Sequence, residues 1–384
     1  MRLLVLFAAV VLTLTSCRTP DTPNKPSDSA ANPASTEPFN PAPPTRPTEA
    51  LPPPVVPLDA GGPAFPTEAL PSAPPLPAVP TGLPPLEEPA TNPTTPEKVA
   101  LGHLLFFDKR LSKDGSMACE GCHHIEQAYT SGQAVDAKVG GAKNKRNAPT
   151  VGNIGYHASF YWDGRMPTLE AVSNAAWKGQ LGADPATIAT QLNVLPAYRA
   201  HFHRAFGQQA TAENIPQALA AFLRALKSGA APFDKLEAGD AKAVSAEARQ
   251  GFEVFKNAGC ALCHAPPLYT DHMFHNVGVG WDPKTKKFSD EGQKDATKDE
   301  KDAGKFKTPP LRDIAKTAPY FHDGSAKTLD AAIDFMLKGG VKNPNLDEKL
   351  KPQKLSKKDR AALEAFLQSL SGEYTFTRAP ELPK

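Results

Sequence analysis

The stretch C-E-G-C-H at residues 119–123 recurs as C-A-L-C-H at residues 260–264. In both copies two cysteines stand three positions apart and a histidine follows at once. This spacing is typical of covalent attachment of c-type haem, because the two thiols add to the porphyrin vinyl groups and the histidine binds the iron. The repeated motif therefore predicts two haem c groups. The residues assigned to them are Cys119, Cys122 and His123 in the first copy and Cys260, Cys263 and His264 in the second.

Zinc sites and redox dithiols also use paired cysteines. A zinc site needs a further pair of cysteines or histidines at regular spacing, and none is evident near either motif. A redox dithiol does not require the histidine that follows both pairs. The chain has 5 cysteines, and all but Cys17 belong to the motifs, so a disulfide framework is not expected. Haem attachment is the interpretation that explains both copies.

A second repeat lies downstream of each motif, at a constant offset of 160 residues. P-T-V-G-N-I at 149–154 parallels P-P-L-R-D-I at 309–314, and Y-W-D-G at 161–164 parallels F-H-D-G at 321–324. The chain therefore contains two related halves, each with its own haem motif upstream of the repeated segment.

The halves differ at the position expected to supply the second axial ligand of the iron. Met336 lies on the predicted helix after the second repeated segment, and a thioether there would stabilise ferrous iron and raise the reduction potential. The corresponding residue of the first half is Ala176, which cannot bind a metal. We therefore expect a closed second haem that moves electrons and an open first haem that binds a small oxidant such as peroxide or dioxygen.

Other assignments stay open on these grounds. Met336 is also explained as a core methionine on an amphipathic helix. Trp162, between the two motifs, either bridges the haems electronically or packs in the core. The other candidate ligands are His272, Met273 and His275 for the second haem, and Tyr129, His157 and Met166 for the first.

The N-terminus has the pattern of an exported lipoprotein. A basic residue precedes the short apolar run at residues 3–14, and L-T-S-C at 14–17 resembles a bacterial lipoprotein box. Cleavage would remove residues 1–16 and leave lipid on Cys17, whereas an ordinary signal peptide would leave a stray cysteine. Arg18 after the lipid site favours the outer membrane over the inner one.

Residues 17–95 are predicted to be a disordered, proline-rich tether, since 25 of the chain's 41 prolines fall between residues 18 and 96. A mainly α-helical body follows. We expect two cytochrome c-like domains: an N-terminal domain with the first haem at residues 96–240 and a C-terminal domain with the second haem at residues 241–384. The segment 282–307 mixes 8 lysines with 7 acidic residues and is expected to be a solvated loop.

Three helices are predicted most clearly. T-P-E at 95–97 combines a capping hydroxyl, a proline at the first helical position and an acid. The segment 218–227 places its large apolar residues on one face. Ser356 and Asp359 stand in capping-box spacing, and the apolar pattern that follows them runs to Leu370.

Four further stretches resemble the bacterial di-haem cytochrome c peroxidase family, which includes the methylamine-utilisation haem enzymes. They are L-G-H-L-L-F-F-D-K-R-L-S at 101–112, R-N-A-P-T at 146–150, Y-W-D-G-R at 161–165 and T-A-P-Y-F-H-D-G-S at 317–325. The resemblance covers residues 96–372. It implies a peroxidatic first haem, and a second haem that receives electrons from a small periplasmic donor, a cytochrome c or a cupredoxin.

The same resemblance implies roles for individual residues. Met336 falls where the family has its distal methionine, which some members replace by tyrosine, and Trp162 falls on the inter-haem tryptophan. Asn147, Thr317 and Pro319 fall on a calcium site, the last two through backbone carbonyls. Hard oxygen ligands of this kind suit calcium, so one calcium ion is expected.

Two features of the first half depart from the family's pattern. Residues 125–145 contain no histidine, whereas many peroxidases carry one in this loop that caps the first haem in the resting oxidised state. The family's distal Gln and Glu would fall at Val172 and Gly182, and loss of the carboxylate is expected to slow O–O cleavage roughly a hundredfold. We take Gln180 as the catalytic candidate. The alternatives are Lys178, Asp184 and His157.

The leading interpretation is a lipid-anchored peroxidase of the periplasm or cell envelope that reduces hydrogen peroxide to water. One alternative is a methylamine-utilisation-type oxidase acting on a protein or organic substrate, and another is a non-catalytic electron-transfer lipoprotein. With 43 basic against 41 acidic residues, no nucleic-acid partner is expected. Membrane contact is expected through the lipid alone, and the resemblance is compatible with a homodimer.

Overall fold

The computed structural model of the chain describes residues 70–384. The predicted signal peptide, Cys17 and the first part of the predicted tether lie outside these residues. All described residues belong to one compact unit. No helix among them is long and apolar enough to cross a membrane.

Ten α-helices dominate the regular structure of the described chain, beside short 3-10 turns and a few very short strands, so the prediction of a mainly helical fold is confirmed. The helices are α1 (Pro96–Phe107), α2 (Leu169–Gln180), α3 (Pro185–Val194), α4 (Pro196–Phe206), α5 (Asn214–Ala225), α6 (Pro232–Glu237), α7 (Ala246–Asn257), α8 (Lys294–Thr297), α9 (Leu329–Leu337) and α10 (Lys357–Gln368).

Six strands of two residues each pair antiparallel as β1 with β6, β2 with β5 and β3 with β4. The strands are β1 (Ser228–Gly229), β2 (Phe274–His275), β3 (Trp281–Asp282), β4 (Lys287–Phe288), β5 (Phe306–Lys307) and β6 (Glu373–Tyr374).

The helices predicted from capping signals begin where expected. The Thr95 hydroxyl accepts a hydrogen bond from the Lys98 amide at 3.3 Å and caps α1. The Ser356 hydroxyl accepts one from the Asp359 amide at 3.1 Å and caps α10. The segment predicted at 218–227 overlaps α5 at residues 218–225, but α5 begins earlier, at Asn214, and ends earlier, at Ala225; its apolar residues are buried.

Two hydrophobic cores divide the described chain. The first contains buried residues between Val99 and Leu226, and α1 packs against α5 within it. The second contains buried residues between Phe233 and Leu370, and α7 packs against α10 within it. The division falls close to the boundary predicted at residue 240.

A glycine sets the closest approach of the helix pair in each core. A methyl group on Gly102 of α1 would lie 2.0 Å from the Ala218 carbonyl oxygen of α5. A methyl group on Gly251 of α7 would lie 1.9 Å from the Ala362 carbonyl oxygen of α10. Each core is therefore built on a helix pair whose backbones touch.

The repeat seen in the sequence is also a structural repeat. Thr168 caps α2 and Thr328 caps α9, each accepting a backbone hydrogen bond at 3.1 Å from the residue three positions on. Asn153 and Asp313, 160 positions apart, share a left-handed backbone, each with φ of 59°. The two halves therefore follow the same path from the repeated segment into the next helix.

The predicted tether requires a correction, because its last part is packed on the body. Asn92 is buried, and its side chain donates hydrogen bonds to Glu170 at 2.8 Å and to the Gln217 carbonyl at 3.0 Å. The Arg312 guanidinium donates to the Gly82 carbonyl at 2.7 Å. The packed chain thus begins before residue 95. Hydropathy missed this because backbone carbonyls and one polar side chain make these contacts.

The prediction that the segment 282–307 is a solvated loop is wrong in part. Most of its lysines are exposed, but Phe306 and Lys307 at its end are buried in β5. Asp290 in its middle forms an ion pair with Arg146 of the first half, with 2.7 Å between Nε and Oδ2. A run of mixed charge does not reveal partners that lie more than a hundred residues away.

We predict that Gly102→Ala and Gly251→Ala each lower the free energy of unfolding by about 3 kcal/mol, because the added methyl group forces the touching helices apart. Chemical denaturation of the haem-loaded protein measures this. Gly179→Ala in α2 is the matched control, since no heavy atom lies within 4 Å of the added methyl group. That substitution should raise stability by up to about 1 kcal/mol. Equal losses at all three glycines would contradict the close crossings.

Candidate haem sites and the region between them

Each motif folds into a single 3-10 turn, Cys119–Gly121 in the first half and Cys260–Leu262 in the second. The Cys122 amide donates to the Cys119 carbonyl at 3.2 Å, and the Cys263 amide donates to the Cys260 carbonyl at 3.3 Å. The turn holds both cysteines in one short hydrogen-bonded segment that the histidine follows directly. A compact segment of this kind is compatible with attachment of one porphyrin at two vinyl groups.

The two histidines are held in the same way. Nδ1 of His123 lies 2.9 Å from the Tyr129 carbonyl oxygen, and Nδ1 of His264 lies 2.9 Å from the Tyr269 carbonyl oxygen. Burial lowers the pKa of both histidines, so each ring is neutral and Nδ1 carries the donated proton. Nε2 of each ring is then the nitrogen that can bind a metal.

The thiols do not have the character of a zinc site or a redox pair. Burial raises the pKa of Cys119 to about 12 and the pKa of Cys122 and Cys260 to about 11, so these thiols are uncharged at neutral pH. Within residues 70–384, one group of three potential metal ligands is close enough to share an ion, and it contains a single cysteine, Cys263, with Asp271 and His275. The geometry favours haem attachment over both alternatives.

A cavity of about 320 Å³ opens beside the second motif. Cys260, Cys263 and His264 line it, and so does Met336 of α9. Most of its surface is apolar, as a porphyrin ring requires. Its charged lining is basic, with Lys307, Lys349 and Lys351 against the carboxylate of Asp347. A haem, which is flat, apolar and carries two propionates, fits this lining.

Lys307 gives independent support for that fit. Its ammonium is buried, donates to the Ser159 carbonyl and lies 3.3 Å from Nδ1 of His157. Among the described residues no carboxylate hydrogen-bonds to it. Burial lowers the pKa of Lys307 to about 8, which reflects the missing partner. A carboxylate of a bound cofactor would supply the negatively charged partner that this ammonium lacks.

The other candidate ligands of the second haem are less suitable than Met336. Met273 is 60% exposed, and His272 does not line the cavity. His275 lines it, but Nδ1 contacts Asp347 at 2.5 Å and Nε2 contacts Asp271 at 2.9 Å. Both ring nitrogens of His275 are thus engaged by carboxylates, which leaves neither of them free to bind iron. Met336 stays the predicted ligand.

Trp162 lies at the contact between the halves and also lines the cavity. Its indole N–H donates to the Asn147 carbonyl at 2.9 Å, and its own carbonyl accepts from the Lys307 amide at 2.8 Å. The Asn147 amide in turn donates to the His322 carbonyl at 2.7 Å. Trp162 is therefore fixed to both halves by hydrogen bonds, and its bridging role stays a prediction.

The residues predicted for calcium all line the same cavity. Asn147, Thr317 and Pro319 all line it, although Asn147 is 160 or more positions from the other two. The Asn147 side-chain nitrogen donates to the Gln133 carbonyl at 2.7 Å. Its oxygen is the remaining ligand atom of that side chain. The assignment of calcium to these residues stays a prediction.

The candidates at the first haem are scattered. Gln180 does not line the cavity, but its side-chain oxygen is buried without a hydrogen-bond partner in the described chain. Asp184 caps α3, and Lys178 is exposed. His157 lies beside Lys307 instead. Gln180 therefore stays the candidate, and it is not seen together with Trp162 in one cavity.

The two remaining candidate ligands of the first haem have other contacts. The Tyr129 hydroxyl donates to the Phe376 carbonyl at 2.8 Å, while the Tyr129 carbonyl holds His123 on the proximal side. Met166 packs against the first core. Tyr129 is thus engaged at both ends and is not available as a distal ligand.

An ion-pair group joins the halves, and sequence reasoning did not find it. The guanidinium of Arg146 donates to Asp290 through Nε and Nη2, at 2.7 and 2.8 Å, and to Asp163 through Nη1 at 2.7 Å. Arg165 also donates to Asp163, at 2.6 Å. Although burial opposes it, the hydrogen bonds from Arg146 lower the pKa of Asp290. The R-N-A-P-T stretch contains Arg146, but no local signal points to Asp290.

The same cysteine and histidine geometry in two related helical halves is typical of a tandem c-type cytochrome. Residues 96–242 match the family model described as di-haem cytochrome c peroxidase. The chain is 38% identical to the methylamine utilization protein MauG of Methylorubrum extorquens over 302 residues, which cover 77% of this chain and 84% of that protein. It is 36% identical to the cytochrome-c peroxidase IdrP1 of Denitromonas iodatirespirans, across 75% of this chain and 85% of that protein.

A solved structure agrees with these relatives. A MauG-like protein associated with microbial copper homeostasis superimposes with a TM-score of 0.71 at 31% identity, over 77% of this chain and 95% of that one. The chain belongs to the di-haem cytochrome c peroxidase family and is an oxidoreductase. This confirms the resemblance seen in the sequence. Membership of a di-haem family implies two c-type haems.

We predict that Arg146→Gln lowers the free energy of unfolding by about 3 kcal/mol, because it leaves Asp290 buried without a cationic partner. Arg165→Gln is the matched control, since its side chain is 42% exposed and contacts the same Asp163. That change should cost less than about 1 kcal/mol. Denaturation of the haem-loaded protein compares the two. If both variants lost the same free energy of unfolding, the Arg146–Asp290 contact would contribute no more to stability than the exposed Arg165–Asp163 contact.

Proposed function

We propose that the protein binds two haem c groups and reduces hydrogen peroxide to water with electrons from a small periplasmic donor, a cytochrome c or a cupredoxin. The proposed attachment residues are the four motif cysteines, with His123 and His264 as proximal ligands. The observation that carries the proposal is the difference between two equivalent helices. On α9, Met336 lines the cavity that also contains His264, whereas α2 has Ala176 at the matching position.

The reaction consumes one peroxide, two electrons and two protons and gives two waters. When bound, the haems supply the irons that exchange these electrons with peroxide and with the donor. Met336 would close the second site to small ligands, and Ala176 would leave room at the first. Trp162, fixed to both halves through Asn147 and Lys307, provides an aromatic group along the path between the sites.

The chain offers Gln180 to orient the oxidant or a water at the first haem. Its buried oxygen without a partner supports this role, because such an atom is costly unless something hydrogen-bonds to it. An amide cannot exchange a proton as a carboxylate does. The protein is therefore expected to cleave the O–O bond more slowly than a relative with a distal glutamate.

A calcium ion is proposed between the halves, held by the Asn147 side chain and the Thr317 and Pro319 carbonyls. Their shared position on the cavity, beside the Trp162–Asn147 hydrogen bond, supports it. The ion would stiffen the segment that holds Trp162. Export, a lipid on Cys17 and attachment to the outer membrane are proposed from the N-terminal pattern.

The second candidate function is MauG-type oxidation of a protein or organic substrate. A relative named MauG at 38% identity and the MauG-like solved structure favour it. The expected positions of the distal Gln and Glu are Val172 and Gly182 here, and this departure also favours it. Both functions share the open first haem and the closed second haem.

The direct test is to mix the reduced, haem-loaded protein with hydrogen peroxide and a reduced cytochrome c. Steady consumption of the donor with two electrons per peroxide is the expected result. A long-lived oxidised protein that the donor does not reduce would support the MauG-type reaction instead. No reaction with peroxide would leave only an electron-transfer role.

An exchange of the two ligand positions tests the asymmetry itself. Met336→Ala should convert the second haem's spectrum from six-coordinate to five-coordinate, because the thioether is lost. Ala176→Met should suppress the reaction with peroxide and leave the second haem's spectrum unchanged. Optical and resonance Raman spectra in both redox states measure the coordination. An unchanged spectrum in Met336→Ala would show that another residue is the ligand.

A further inference from the structure

The two tyrosines whose carbonyls hold the proximal histidines differ in the contacts of their hydroxyl groups. Tyr129 and Tyr269 both offer a carbonyl to a histidine, and both have a left-handed backbone, with φ of 59° and 56°. The Tyr129 hydroxyl donates to the Phe376 carbonyl at 2.8 Å. The Tyr269 hydroxyl is buried and has no hydrogen-bond partner within residues 70–384. The two histidines are therefore held by matching tyrosine carbonyls, but the two tyrosine hydroxyls differ in their contacts.

The partner of Tyr129 belongs to a segment that we call the C-terminal strap, residues 373–378. It follows α10 of the second core and crosses to the first core. Its strand β6 pairs with β1, and the Thr375 amide donates to the Lys227 carbonyl at 2.9 Å. The Thr375 hydroxyl donates to the Ala225 carbonyl at 2.7 Å. The strap is thus tied by backbone contacts to the end of α5.

Aromatic packing fixes the strap against the loop that carries the Tyr129 carbonyl. The Tyr374 ring lies 5.1 Å from the Tyr129 ring, and its hydroxyl donates to the Ala128 carbonyl at 3.3 Å. The Phe376 ring lies 5.0 Å from both Phe222 of α5 and His103 of α1. Phe376 is therefore anchored in the first core, and its carbonyl is a fixed acceptor for Tyr129.

We propose that Tyr129 is a positioning residue for His123, and that it links the C-terminal strap to the first haem. This inference rests on the proposed role of His123 as a haem ligand. The left-handed backbone of Tyr129 is strained for a residue with a side chain, and the hydroxyl contact offsets part of that strain. The hydroxyl contact keeps the Tyr129 carbonyl oriented toward Nδ1 of His123. A firmly held carbonyl makes the imidazole a stronger electron donor to the metal, which lowers its reduction potential.

The second haem has no such link. Tyr269 is held by packing against Phe255 and Phe366, with ring centroids 6.4 and 5.9 Å away. Because it has no hydrogen-bond partner among the described residues, the Tyr269 hydroxyl does not help to orient the Tyr269 carbonyl. The strap therefore acts on one of two otherwise matching sites. Because the strap continues from α10, it is also a covalent route from the second core to the proximal side of the first haem.

The test compares Tyr129→Phe with Tyr269→Phe in the full-length, haem-loaded protein. Each change removes one hydroxyl and keeps the ring. Redox titration followed by optical spectroscopy gives the midpoint potential of each haem, and resonance Raman of the ferrous protein gives the iron–histidine stretch of the first. Tyr129→Phe should raise the potential of the first haem and lower its stretching frequency. Tyr269→Phe should change neither haem and should leave stability equal or higher, since a buried unpaired hydroxyl is removed.

A second comparison shows whether the strap transmits the effect. In a chain that ends at Gly372, Tyr129→Phe should cause no further shift in potential, because the Phe376 carbonyl is already absent. If that shorter chain fails to take up haem, the comparison of the two tyrosines in the full chain still decides. Equal shifts in the two full-length variants, or an unchanged first haem in Tyr129→Phe, would overturn the proposal.

The outcome is separable from that of the proposed function. A wild-type protein without two haems, or inert towards peroxide, would contradict the function. A wild-type protein that binds both haems and turns over peroxide, while Tyr129→Phe leaves the first haem unaltered, would contradict only the positioning role.

Discussion

The structure depends on two places where helix backbones touch. At Gly102 and at Gly251 there is no room for even a methyl group beside the carbonyl of the crossing helix. Each crossing fixes the distance between the two helices of one pair, and each pair packs within one hydrophobic core. The second haem motif follows α7 closely, and the first follows α1 after a short 3-10 turn at Lys109–Leu111, so the crossings help to determine where the cysteines and histidines lie. Everything that concerns the sites is built on these contacts.

The halves repeat part of this framework and differ elsewhere, since α3 and α4 of the first half have no equivalent between α9 and α10. The capping threonines, the left-handed turns and the carbonyl that holds each proximal histidine are repeated. Two further differences concern residues at the proposed haem sites or beside them. At the proposed distal position the second half has Met336 and the first half has Ala176. Beside the proposed proximal histidines, the Tyr129 hydroxyl has a hydrogen-bond partner and the Tyr269 hydroxyl has none among the described residues. The two halves thus share a repeated framework but differ at positions assigned to the haem ligands and to their support.

Hydrogen bonds and ion pairs join the halves in the region between the proposed sites. Arg146 reaches Asp290, Asn147 reaches His322, and Trp162 accepts from Lys307. These contacts come from consecutive parts of one first-half segment, and all of them end on the second half. A segment held in this way has little freedom to move on its own. Electron transfer between fixed sites benefits from such rigidity, because little reorganisation accompanies the change in charge.

Several properties were determined by the sequence alone. The haem motifs, the internal repeat and the contrast between Met336 and Ala176 all depend on spacing along the chain, and covalent attachment and helix periodicity are local properties. Only the tertiary structure decided the partners of Tyr129 and Arg146, which lie 247 and 144 positions away. It also placed Lys307, the last lysine of a segment expected to be solvated, in the cavity beside Trp162. The physical reason is that burial and long-range hydrogen bonds depend on the path of the whole chain, which no short pattern of residues encodes.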